Sequence, residues 1–269
     1  MDCKLKRVHG TEYCSHECPA IDQGFRYARV ERPQDVPPPD PQAVDVALLD
    51  MNHRWPNLGH DSLVQDLRDI GCDLIPDLIG TGIHLRVLSY EVRVSHTVPE
   101  GPGGRFPLYV GSGGPGNIDP YANDGVAPGS QGIREDTAWE RPLFALFDAI
   151  QRDERAALLS VCHSFGVMCR WSSIARPVLR GPEKGGKSNG IRENILTAEA
   201  LEHPWFERFA QDLPDRRRLR VVDNRLFDLI PEPSALHNGH VPIAYETQGE
   251  GGPRGDAITM LEWARDRAA

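Results

Sequence analysis

In SVCHSFG, Ser160 to Gly166, a cysteine stands between an apolar run and a helix-forming segment, with small residues around it. A sharp strand-to-helix turn there would lift the Cys162 thiol from the carboxyl edge of a sheet, where open α/β sheets place their sites. The helix N-terminus beneath it favours thiolate, the nucleophilic form. The backbone N–H of His163 would then point at an oxyanion developing on an attacked carbonyl. The same residues also read as a buried strand closed by a small apolar side chain.

A second stretch, GPEKGGKS from Gly181 to Ser188, fits the spacing Gly-x-x-x-x-Gly-Lys-Ser. That spacing cradles phosphates when it joins a strand to the first turn of a helix. Here Asn189 and Gly190 follow at once, and an Asn-Gly pair forms a turn in preference to a helical start. The chain left after Ser188 is also short for the rest of a nucleotide-binding α/β domain, although LRVVD (219–223) could pass for a magnesium-holding strand. The stretch reads better as a basic, glycine-rich connection, and no cofactor is expected.

The elements that must position these residues follow an alternating pattern. VALLD (Val46–Asp50), HLRVLSYEV, PLYVGSG and AALLSVC (Ala156–Cys162) are short apolar runs of the kind buried parallel strands show. SLVQDLRDI (62–70) puts Leu63, Leu67 and Ile70 on one helical face behind a capping Ser62. RPLFALFDAIQRD does the same with Leu143, Leu146, Phe147 and Ile150, and SFGVMCRWSSIA forms a helix ending before Pro177. Strands alternating with helices predict a three-layer α/β/α sandwich with a mainly parallel central sheet, flavodoxin-like in class. A glycine-, proline- and asparagine-rich loop runs from Gly101 to Gly132 around the strand at 108–110.

Residues 1–45 look separate. They carry Cys3, His9, Cys14, His16 and Cys18 into the proline-rich PQDVPPPDPQ, which suits an extended linker better than a sheet or helix. The cysteine spacing is irregular for zinc, so a poorly ordered tail with few contacts to a domain over 46–269 is expected, and no metal. A net charge of −9 argues against nucleic acid and anionic membrane surfaces as partners. No apolar run reaches the roughly 18 residues of a spanning helix, and no apolar stretch follows the basic N-terminus. A cytoplasmic protein with mostly reduced cysteines is the expectation.

Two motifs in order, the turn GSGGPG (Gly111–Gly116) and the Val-Cys-His-x-Phe elbow, resemble the class I glutamine amidotransferases over roughly Val46 to the C-terminus. Members of that family cleave the side-chain amide of glutamine through a cysteine thioester and pass ammonia to a synthetase partner. The resemblance implies that Cys162 is the nucleophile and that the N–H groups of Gly114 and His163 form the oxyanion hole. Gly113, Gly116 and Gly166 would fall at the site of glutamine or a related small amide. It also puts GPEKGGKSNG in a strand-turn-strand excursion after the nucleophile helix. Ser160 and Ser164 replace glycines common in the family, and Gly166 replaces a glutamine that contacts substrate.

A cysteine nucleophile needs a histidine base oriented by a carboxylate. In the family both come from a His-Pro-Glu after a strand resembling AITMLEWARD, and here no His-x-Glu follows it. The chain is therefore expected to stop before its last strand and catalytic dyad, or to have lost them, with activity impaired. His237 and His240 (near Glu246), His53, His60 and His163 are weak substitutes, and His203 looks structural. The alternatives are a related γ-glutamyl cysteine peptidase and an inactive relative used for binding.

Overall fold

A computed structural model describes the backbone of residues 4–8 and 11–15, and residues 24–263 apart from 79, 214, 237 and 238. The side chains of Cys3, His9, Cys14, His16 and Cys18, His237, and residues 264–269 thus lie outside the described residues. Strands β1 (Lys4–Val8) and β2 (Thr11–Ser15) pair antiparallel.

The central sheet contains β3 (Phe25–Val30), β4 (Ala43–Asp50), β5 (His84–Glu91), β6 (Leu108–Gly111) and β7 (Ala157–Ser160). All pairings are parallel, in the order β3-β5-β4-β6-β7. Leaving aside β3, this is the flavodoxin-like order, whose direction reverses between β4 and β6. The six residues of β4 from Asp45 to Asp50 are buried, as expected of a central strand covered on both faces. Its side chains alternate between two cores. Val46 and Leu48 meet Leu67 of helix α1 (Leu58–Asp73), while Ala47 and Leu49 join the cluster built on helices α2 (Glu140–Arg152) and α3 (His163–Ser172). Leu143, Leu146, Phe147 and Ile150 form the buried face of α2, as their spacing predicts.

Two boundaries differ from the sequence reading. Helix α1 starts at Leu58, capped by Asn57, whose side chain accepts from the Gly59 N–H at 2.8 Å; Ser62 lies inside the helix. Residues 24–45, read as part of a loose tail, are built into the domain. β3 forms the sheet edge, Arg29 binds Glu91 at 2.5 Å, and the proline segment receives Arg86 and Arg105 at the carbonyls of Pro38 and Pro37. A proline segment leaves its carbonyls unpaired, and these arginines satisfy them.

Beyond α3 the strands are antiparallel. A two-stranded sheet joins β8 (Ala175–Leu179) to β11 (Phe227–Pro231). A four-stranded sheet of order β10-β9-β12-β13 contains β9 (Gly190–Leu196), β10 (Arg218–Asp223), β12 (Val241–Thr247) and β13 (Arg254–Glu262). The GPEKGGKS stretch therefore connects strands of two sheets, with a single helical turn at Pro182–Lys184 and a strand after Ser188 in place of a phosphate-loop helix. Lys184 binds the buried Asp228 at 2.9 Å and the Ser188 hydroxyl binds Asp223 at 2.6 Å, so both side chains are tied into the fold. Among the described residues no helix is long and apolar enough to cross a membrane.

Candidate active site

Parallel pairing of β6 and β7 places Gly111 opposite Ser160, so the two following turns leave the sheet side by side. Two hydrogen bonds extend that alignment: Val161 N–H to Gly111 carbonyl at 3.0 Å, and Ser164 N–H to Ser112 carbonyl at 3.2 Å. Cys162 then caps α3 with φ 58° and ψ −110°. A non-glycine residue in that half of conformational space costs on the order of 1–3 kcal/mol, and such strain gathers at functional turns. The elbow is held by Ser164, whose hydroxyl accepts from Val161 N–H at 2.9 Å and donates to its carbonyl at 3.0 Å. Ser164 and Gly111 are matched: a β-carbon on Gly111 would sit 2.5 Å from the Ser164 hydroxyl. Thus the elbow accommodates serine because the facing strand end has no side chain.

The glycine turn approaches the cysteine closely. A β-carbon on Gly113 would lie 3.3 Å from the Cys162 sulfur, and one on Gly114 would fall 2.0 Å from the Met51 carbonyl oxygen. Only backbone fits at Gly114. Gly116 has φ +86° and gives its N–H to Gln131 at 2.9 Å, so that donor is already used. Gly166 faces Ile118, whose terminal methyl would be 2.5 Å from an added β-carbon. Ile118 therefore occupies the space a longer side chain at position 166 would take.

The turn is fastened by a buried ion pair that sequence reasoning missed. Arg93, 1% exposed, donates to the Met51 and Pro115 carbonyls at 3.0 and 2.7 Å, and to both oxygens of Glu135 at 2.5 and 2.8 Å. Glu135 also accepts from Asn123 and the Trp139 indole, and Asn123 in turn holds the Asn117 backbone. Arg93 lies in the short helical turn Val92–Ser95 just after β5, and nothing in YEVRV marks it as buried.

The electrostatics correct one expectation. Cys162 is solvent-accessible, yet the protein surrounding the sulfur raises its pKa; the backbone amides of Gly114 and His163 oppose that rise. Lys187 lowers it and Asp223 raises it, so the GPEKGGKS stretch and β10 lie within electrostatic reach. Burial disfavours the charged thiolate and is the largest influence on this group. His163 is buried, and burial followed by the charge of Arg93 holds its imidazole well below the ordinary range. It is neutral, and its Nε2 has no partner.

Among the described residues no imidazole hydrogen-bonds to the Cys162 sulfur. His203 Nδ1 accepts from the Trp205 N–H at 3.2 Å while Nε2 meets Glu262 at 3.0 Å, leaving no free lone pair. His60 is buried against Ser89 at 3.1 Å, and His53 is depressed by burial and then by Arg93. Glu246, the carboxylate near His240, is committed to Arg180 and Arg225. Among the described residues no group of His, Cys, Asp or Glu is placed to hold a metal.

No protein-family model and no curated protein matches this chain. Solved structures do. A glutamine amido transferase from Methylobacillus flagellatus matches at 16% identity over 76% of this chain and 61% of that one, with a TM-score of 0.44. A glutamine amidotransferase from Thermotoga maritima matches at 13% identity over 82% and 73%, TM-score 0.47, and the protein SMU.1228c at 15% over 81% and 74%, TM-score 0.43. This chain thus spans 61% of the length of the Methylobacillus structure.

Proposed function

We propose that this chain is a glutamine amidotransferase-like hydrolase in which Cys162 attacks a carboxamide, glutamine being the donor the sequence resemblance implies. The thiol would add to the carbonyl carbon, the amides of Gly114 and His163 would hold the oxyanion, and ammonia would leave from a thioester that water then hydrolyses. The observation that carries this reading is the strained Cys162 turn lying against the Gly113–Gly114 backbone, with both amides acting on its sulfur. Ammonia delivery to a synthetase partner and a cytoplasmic setting belong to the same proposal.

Turnover by this chain is proposed to be impaired. The leaving amine must be protonated and a water activated, and no hydrogen bond joins a described imidazole to the Cys162 sulfur. Loss of such a base costs on the order of 10⁴–10⁶ in rate. Iodoacetamide should therefore label Cys162 while ammonia release from glutamine stays near background; brisk glutaminase activity would overturn the impairment. A catalytically inactive binding role is the second reading, favoured by the hydrogen-bonded commitment of both His203 ring nitrogens.

A further inference from the structure

Cys162 stands on the wall of a cavity of about 540 Å³ between β7 and β13. Its lining includes Leu159 of β7 and Val161 just after it, Phe165 and Trp171 of α3, and Leu261 of β13 with Trp263 just after it. β7 is the last strand of its sheet, and Leu159 is 51% and the following Val161 37% exposed. Among the described residues no arginine or lysine lines the cavity, and the acidic group on its wall, Glu262, is engaged by His203. Its size is that of a site for a small organic molecule.

Free glutamine fits these walls poorly. Its α-carboxylate would enter an apolar space in which the described residues offer no cation, and an uncompensated charge there is costly. We infer that the cavity is an acyl subsite: the carboxamide presented to Cys162 carries an apolar body, an alkyl or aryl chain, in place of a zwitterionic amino acid. This rests on the reading of Cys162 as nucleophile. The step balances simply. The sulfur–carbonyl bond forms as the carbon–nitrogen bond breaks, the thiol proton leaves with ammonia, and water later returns the thiol while releasing the apolar acid. Each methylene that enters the cavity should improve affinity by about fourfold.

The test separates binding from chemistry. Three of the chain's five tryptophans, Trp171, Trp205 and Trp263, line the cavity and serve as built-in reporters. Full-length Cys162→Ser protein would be titrated with butanamide, hexanamide, octanamide and decanamide, and with glutamine, following indole fluorescence. Saturable binding should tighten about fourfold per methylene, glutamine should give no saturation, and Leu159→Lys at the exposed wall should weaken decanamide at least tenfold with an unchanged melting temperature. Glutamine binding that outcompetes the alkyl amides, or affinity independent of chain length, would overturn the subsite. So would sedimentation showing a dimer that decanamide dissociates, since the cavity would then be an interface between copies. Tight decanamide binding without acylation of native Cys162 by p-nitrophenyl decanoate would leave the subsite standing and remove the nucleophile.

Discussion

At the residue scale the candidate site depends on where side chains are missing. A β-carbon on Gly114 would lie 2.0 Å from the Met51 carbonyl oxygen, which neither backbone can yield without moving the turn. Gly114→Ala is expected to lose about 3 kcal/mol in denaturant unfolding and to abolish preferential labelling of Cys162. Gly132→Ala is the control: it also has positive φ (+82°) but open space around it, and should cost only about 1 kcal/mol. The thiol makes a second prediction. Because its pKa is raised, the alkylation rate of Cys162 should climb throughout neutral pH and level off only above the ordinary thiol range. A plateau near pH 7 would mean that the amides of Gly114 and His163 outweigh desolvation. The elbow itself was legible from a cysteine among small residues after an apolar run. The direction of its pKa was not, because a helix N-terminus is visible in sequence and the surrounding protein shell is not.

At the scale of elements, the tie between the turn after β6 and the segment after β5 decides whether the site is preformed. Arg93 and Glu135 both have 0% side-chain exposure. Arg93→Met would leave Glu135 charged and buried, and a cost of about 3–5 kcal/mol is expected. Adding Glu135→Leu should recover a large part of it, measured as unfolding free energy of the single and double variants. If the single variant is as stable as the parent, the pair is not what holds the turn. Helices α2 and α3 and strands β4 to β7 could be read from period 3.6 and from short apolar runs. Arg93 and Glu135 could not be paired that way, since 42 positions separate them and only the folded sheet brings them together. β3 was missed for a related reason: FRYARV mixes charge and bulk because an edge strand is half-exposed.

For the whole molecule, a parallel flavodoxin-like sheet carries the elbow and antiparallel sheets follow it. The strand–helix alternation ends with α3, and β9 and β10 mix charged and apolar residues, as partly exposed antiparallel strands do. The N-terminal boundary follows from β3 and its ion pair to Glu91, which is 3% exposed. Removing residues 1–30 would strip the edge of β5 and remove Arg29 from Glu91, and the product should be aggregation-prone on expression. A soluble, cooperatively folding product would return those residues to the status of a dispensable tail. The central claim, that Cys162 is a nucleophile served by the Gly114 and His163 amides, is tested most directly by an acyl-transfer burst. Mixing the chain with p-nitrophenyl decanoate should release one p-nitrophenol per chain, leave the acyl group on Cys162 in peptide maps, and then proceed slowly. The absence of a burst, or the same burst from Cys162→Ala with the acyl group on Cys72 or another residue, would contradict it.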